Sequence, residues 1–147
     1  SMGGCVRVLD TKLRTFVMEE IERLSKAICA AHQCEVKVTM VYGYPACTVS
    51  PECAALMQEA AQELGITVDD VPPSLGAEDF GYFSEQKPAG VGWFGLGDPT
   101  GGHELTPHHN PYFYLDDAKG MPLALEYMLT VYLKAVQQLN TTESEVN

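Results

Sequence analysis

Residues 5–42 constrain the fold most, because a long apolar helical stripe lies there between two short runs that alternate like strands. Leu13, Phe16, Val17, Ile21, Leu24, Ile28 and Ala31 recur at spacings of three and four, which marks one buried helical face. Asp10 or Thr11 offers the N-cap. Glu19, Glu20, Glu22, Arg23 and Lys26 fall largely on the opposite face, as in a helix lying on a sheet. His32 follows near the helix C-terminus, where a cation is favoured, so a capping role suits it. Cys5–Leu9 and Glu35–Tyr42 flank this helix with period-two alternation, Val36, Val38, Met40 and Tyr42 sharing one face. Strand, helix, strand is half of a small α+β sandwich. Two strands alone are marginal, so the pattern demands further partners.

Gly43-Tyr44-Pro45 breaks the pattern and suggests a boundary between lobes. Ser50 then stands as N-cap and Pro51 as first residue of a second helix ending at Gly65. Ile66-Thr67-Val68 reads as a short strand closed by Val71-Pro72-Pro73. Ser74-Leu75-Gly76-Ala77-Glu78-Asp79-Phe80-Gly81-Tyr82-Phe83 places an acidic pair after a glycine turn, at the start of a short helix. The N–H groups of such a terminus can bind a carboxylate, and the acids also simply favour a helix start. Gly90–Gly97 alternates glycine with apolar residues, as a buried strand does where another backbone packs closely. It is no phosphate loop, since neither Lys-Ser/Thr nor a helix follows. Asp116 and Asp117 open a last helix with Met121, Leu125, Met128, Leu129, Tyr132, Leu133 and Val136 on its apolar face. Pro122 is placed in its first turn, and 140–147 is read as a disordered polar tail.

A net charge of −11 argues against nucleic acid and against an anionic membrane surface. No apolar run has the length of a membrane span, and no secretory leader is read at the start. The five cysteines (Cys5, Cys29, Cys34, Cys47 and Cys53) are an odd number without framework spacing. They read as reduced, structural thiols of a cytoplasmic protein, buried or half-buried.

Chemistry concentrates after the glycine-rich run. His103, His108 and His109 are three of the four histidines, on a segment rich in Gly and Pro that ends His109-Asn110-Pro111-Tyr112-Phe113. Histidine is the commonest protein metal ligand, and two adjacent loop histidines are equally consistent with plain solvated residues. A catalytic zinc takes about three protein ligands. Nearby in sequence are only the acids Asp98, Glu104, Asp116 and Asp117, with no His-Glu-x-x-His helix and no Cys-x-x-Cys pair. A metal site here would draw most of its ligands from elsewhere. Tyr44, Tyr82, Phe83, Trp93 and Phe94 read as core aromatics more readily than as an acyl pocket.

Taken in order, Gly4–Asp10, Tyr42-Gly43-Tyr44-Pro45, Gly76–Phe83 and His109–Phe113 with Asp116-Asp117 resemble one family closely. It is the metal-dependent amidohydrolases that include hippurate hydrolase, N-acyl-amino-acid amidohydrolases and auxin-conjugate hydrolases, within the dinuclear-metal aminoacylases and carboxypeptidases. The resemblance covers nearly all of residues 4–138. It implies an α/β (α+β) chain with two parts. Residues 4–43 would be the second half of a lid or dimerisation domain, strand-helix-strand. Residues 44–139 would be the C-terminal part of a mixed-sheet, metallopeptidase-like catalytic domain. The family's remaining metal ligands and its glutamate general base have no counterpart here, so the chain resembles only the C-terminal portion of such an enzyme.

Residue by residue, the resemblance makes His109 a metal ligand and His108 a group that supports it. It sets Glu78 and Asp79 beside the active-site cleft and turns the Gly76 and Ala77 amides toward a substrate carboxylate. Asn110 stands where many relatives carry Ser or His. The implied cofactor is a pair of divalent ions, zinc or manganese, that activate water while a glutamate outside this sequence moves the proton. The implied substrate is an N-acyl amino acid or similar short amide, the implied assembly a homodimer through the lid lobe, and the chain alone is expected to be inactive. The competing expectation is a non-catalytic dimerisation or binding module, in which Cys5–Leu9 and Glu35–Tyr42 pair across a two-fold axis.

Overall fold

A computed structural model of the chain describes residues 1–97 and 106–146. The expectations attached to Asp98, His103 and Glu104 therefore lie outside the described residues. All regular secondary structure among the described residues is helical: α1 (Thr11–Ala31), α2 (Pro51–Glu63), α3 (Gly81–Ser84) and α4 (Asp117–Val146). The residues fall into two compact units, one of Ser1–Val49 with Asp70–Ala89, the other of Ser50–Asp69 with Gly90–Asn147.

The first unit is built around α1. Asp10 caps it as the sequence predicts, its carboxylate accepting from the Lys12 amide at 2.8 Å. The helix ends in a Schellman turn: His32 is the C-cap and Gln33 takes the left-handed conformation at φ 54°. The Gln33 amide then reaches the Ala30 carbonyl at 3.1 Å, and the Cys34 amide reaches the Cys29 carbonyl at 2.9 Å. Tyr42-Gly43-Tyr44-Pro45 lies inside this unit, clamped to α1. Arg14 donates to the carbonyls of Gly43 at 3.3 Å and Tyr44 at 3.1 Å, and its guanidinium lies 5.2 Å from the Tyr42 ring centroid. Gly81 then abuts buried Pro45 so closely that a Cβ on it would stand 2.8 Å from the Pro45 carbonyl oxygen.

The second unit packs α2 on α4, and α2 buries Leu56, Ala60 and Ala61, the two alanines being small enough to let helices approach closely. Lys134 and Glu63 pair across the helices at 2.8 Å. The α2 end repeats the Schellman turn with glycine in the left-handed position, Gly65 at φ 67°, and with the Ile66 amide on the Ala61 carbonyl at 2.8 Å. Ser50 begins α2 through its backbone, its carbonyl accepting from the Ala54 amide at 2.9 Å. Its hydroxyl makes no capping bond and is buried without a partner among the described residues, so the expected side-chain cap is not seen.

Further expectations change. The apolar stripe of α1, expected to be buried, leaves Leu13, Phe16, Leu24 and Ile28 exposed. The strands foreseen at Cys5–Leu9, Glu35–Tyr42, Ile66–Val68 and Gly90–Gly97 form no ladder among the described residues, so the strand-helix-strand lobe and the mixed sheet are not seen. A strand exists only through hydrogen bonds to a neighbour, and no described segment supplies them. The alternation survives without a ladder: Gly90 and Gly92 lie against Met57, Phe94 against Tyr127 and Leu96 against Gly120, while Val91 and Trp93 are exposed. Pro122 is the sixth residue of α4 rather than part of its first turn, and it leaves the Ala118 carbonyl without its usual helical donor. Helix α4 also continues to Val146, past the Asn140 at which fraying is predicted, since extending a formed helix costs little. Finally, Cys5 and Cys34 are exposed, whereas Cys29, Cys47 and Cys53 are half-buried as expected.

Candidate functional site

The candidate residues sit on two turns, one in each unit. In the first unit, Leu75 and Gly76 are held from two sides. The Arg7 guanidinium donates to the Leu75 carbonyl at 2.8 Å, and the Ser74 hydroxyl accepts from the Gly76 amide at 3.1 Å. Gly76, Ala77, Glu78 and Asp79 are all exposed. The short helix starts after the acids, at Gly81. The Gly81 and Tyr82 amides close back on the carbonyls of Glu78 and Asp79 at 3.2 and 3.1 Å, so these donors serve the turn itself. The Gly76 amide, expected to face a substrate carboxylate, is likewise engaged by Ser74. A carboxylate would have to displace that hydroxyl.

In the second unit, His109 lies in a turn that its own neighbours enforce. It adopts the left-handed conformation at φ 64°, uncommon for a residue with a side chain. The Asn110 side chain accepts from the Tyr112 amide at 2.9 Å and the Asn110 carbonyl accepts from the Phe113 amide at 2.9 Å. This Asx turn is what an Asn-Pro pair favours. His108 stacks on Trp93, with ring centroids 5.3 Å apart, and meets the His109 ring edge-on at 4.7 Å. The turn leads into α4, whose first residues are docked by the Asp116 amide on the Leu96 carbonyl at 2.8 Å. The Asp116 carboxylate caps the helix at the Lys119 amide, 3.1 Å away.

A metal finds one natural donor here. An exposed imidazole held in a fixed turn is a chemically suitable ligand for a borderline divalent ion. One donor falls short of the three or so that a catalytic centre takes. Among the described residues no group of three His, Cys, Asp or Glu side chains comes together to hold an ion, so these residues alone do not build the centre.

Sequence reasoning passed over Ser74 and the positioning role of Asn110, and it read Trp93 as a core aromatic where the structure leaves it exposed. Asn110-Pro111 carried a readable turn signal. Ser74, two residues before Gly76, carried the weaker signal of a Ser turn. The Trp93 contact had none, because it depends on where a turn places His108.

The chain matches the family described as Peptidase family M20/M25/M40 over residues 5–139 and belongs to that family. Among curated proteins it is similar to the N-acetyl-L-cysteine deacetylase of Bacillus subtilis, 29% identical over 114 residues that cover 78% of this chain and 26% of that protein. It is 32% identical over 106 residues to the N-acetyldiaminopimelate deacetylase of Shouchella clausii, covering 70% of this chain and 28% of that protein. It is 30% identical over 118 residues to thermostable carboxypeptidase 1 of Saccharolobus solfataricus, covering 79% and 29%. The chain thus spans under a third of the length of these relatives. No solved structure matches it. The family is generally metal-dependent. No helix among the described residues is long and apolar enough to cross a membrane.

Proposed function

We propose that this chain is the C-terminal share of a cytoplasmic, homodimeric, metal-dependent amidohydrolase that releases amino acids from N-acyl amino acids or similar short amides. Membership of the family over residues 5–139 supports the reading, together with deacetylases and a carboxypeptidase among the relatives. The observation that carries it at residue level is the Asx turn that presents His109, at the position where the family resemblance expects a metal ligand.

In this reading residues 4–43 belong to a lid lobe and 44–139 to a catalytic domain, with two divalent ions, zinc or manganese, in the whole enzyme. Bound divalent ions polarise an amide carbonyl and make water a stronger nucleophile near neutral pH. His109 contributes one neutral ring nitrogen to that centre without adding charge. Gly76 and Ala77 orient the substrate carboxylate, the Ser74 hydroxyl yielding the Gly76 amide as it binds. Glu78 and Asp79 flank the cleft. Neither the general base nor the other ligands is among this chain's residues. The long apolar faces left exposed on α1 and α4, Phe16 at 60% and Leu133 at 58% among them, fit a chain that further protein covers. Added neighbours would also let Cys5–Leu9 and Glu35–Tyr42 pair as strands of a sheet.

Elemental analysis of the purified chain, beside His109→Ala, tests this. The expected result is negligible bound zinc or manganese and no hydrolysis of N-acetyl amino acids by either form. One or two ions per chain, lost in the variant and accompanied by hydrolysis, would show that the chain completes a centre by itself and would sink the partial-enzyme reading.

A further inference from the structure

The Schellman turn at the end of α1 puts two cysteines at the two positions whose side chains such a turn brings together. In this motif the residue two beyond the C-cap bonds back to the third residue from the helix end, and the side chains of that pair commonly touch. At the end of α2 the same pair is Ile66 and Ala61, two apolar residues. At the end of α1 it is Cys34 and Cys29. The Cys34 amide lies 2.9 Å from the Cys29 carbonyl and the Cys34 thiol 3.4 Å from that same oxygen. Both sulfurs are unoxidised, Cys34 exposed and Cys29 half-buried. Gln33 between them holds φ 54° where helices more often place glycine, which fixes the turn.

We propose that Cys29 and Cys34 form a dithiol site that closes reversibly to a disulfide, with a low-molecular-weight disulfide of the glutathione type as electron acceptor. Exposed Cys34 is the entry point. Its thiolate attacks one sulfur of the oxidant, forming a mixed disulfide and releasing one small thiolate. The Cys29 thiolate then attacks the Cys34 sulfur and expels the second small thiolate. The protein loses two protons and two electrons, and the oxidant is reduced to two thiols. The neighbouring Cys34 thiol, chiefly through a hydrogen bond and then with burial and its charge, pushes the Cys29 thiol above the ordinary cysteine range. That suits Cys29 to the second, intramolecular step, where proximity compensates for a low thiolate fraction. No third metal-ligating side chain joins the pair among the described residues. The site is independent of the proposed hydrolase activity.

The whole chain, equilibrated with reduced and oxidised glutathione, tests the proposal by tryptic mapping. Both cysteines fall in the single fragment Ala27–Lys37. The expected result is that this fragment loses two hydrogens as oxidant rises and regains them on reduction, while Cys5, Cys47 and Cys53 remain alkylatable. The effective molarity of one thiol for the other should exceed about 1 mM, the level a short flexible tether alone provides. Gln33→Gly should keep that value, since glycine accepts the same turn. Gln33→Pro, which cannot take a positive φ or donate to Ala30, should lower it about tenfold or more. Two separate glutathione adducts on Ala27–Lys37, or an effective molarity below about 1 mM in the unaltered chain, would overturn the proposal.

Discussion

The Tyr127 hydroxyl on α4 donates to the Met57 carbonyl on α2 at 3.3 Å, while its ring lies 5.7 Å from that of Phe94. One side chain thus joins both helices to the glycine-alternating segment. Tyr127→Phe should keep the ring packing and lose the bond, lowering stability by about 0.5–1.5 kcal/mol in urea unfolding. Burial disfavours the phenolate and pushes the Tyr127 phenol above its ordinary value. Above about pH 10 the unfolded chain therefore gives up this proton first, so folded stability falls as pH rises. The contribution is complete below that pH. Tyr127→Phe should flatten the alkaline loss, and an unchanged slope would show that burial of this phenol is not its source.

Gly81→Ala should be among the costlier single-methyl changes. The added carbon would stand 2.8 Å from a backbone oxygen of buried Pro45, which cannot swing away as a side-chain tip can. A loss of about 1–3 kcal/mol is expected by thermal or chemical unfolding. Gly43→Ala is the control: nothing lies within 4 Å of its new carbon, and the change should stay within about 0.5 kcal/mol. Equal effects at the two positions would mean that the Gly81–Pro45 approach is not maintained.

Lys134→Ala should cost little despite a short 2.8 Å bridge to Glu63, whose side chain is 59% exposed. Water and salt screen such a pair, so the loss should be small in urea unfolding and smaller still in high salt. Glu63, chiefly by hydrogen bonding, holds the Lys134 ammonium above its ordinary range. The bridge therefore contributes below about pH 10.4 and fades as pH climbs through the raised value. A large, salt-independent loss would instead indicate that the lysine stem packs between the helices.

Trp93 is the single tryptophan, and His108 stacks on it at 5.3 Å. An imidazole against an indole face offers the excited ring a quenching route. His108→Ala should raise tryptophan emission with no change in far-ultraviolet circular dichroism. His109→Ala should raise it less, because His109 meets His108 edge-on rather than covering the indole. Matching increases in the two variants would count against the stack.

The helices were legible in the residues because a helix satisfies its hydrogen bonds within a few positions of itself. Asp10 before the Leu13–Ala31 stripe, Pro51 after Ser50 and Gly65 beyond Glu63 mark α1 and α2 closely. The alternation of Gly90–Leu96 was equally visible, and its inward side does meet Met57, Tyr127 and Gly120. Whether that alternation becomes a strand was not legible, since ladder bonds come from a neighbour distant in sequence. The His109 turn could be read from Asn110-Pro111, whose turn chemistry is local.

Other features were decided only in three dimensions. Trp93 lies under His108, and Arg14 gathers Tyr42, Gly43 and Tyr44 onto α1. The five cysteines looked alike in sequence, yet one turn brings two of them together. Local patterns set where the chain coils and turns, because those choices are made among adjacent residues. Which side chains then meet depends on the directions the turns impose, and no spacing in the sequence encodes those directions.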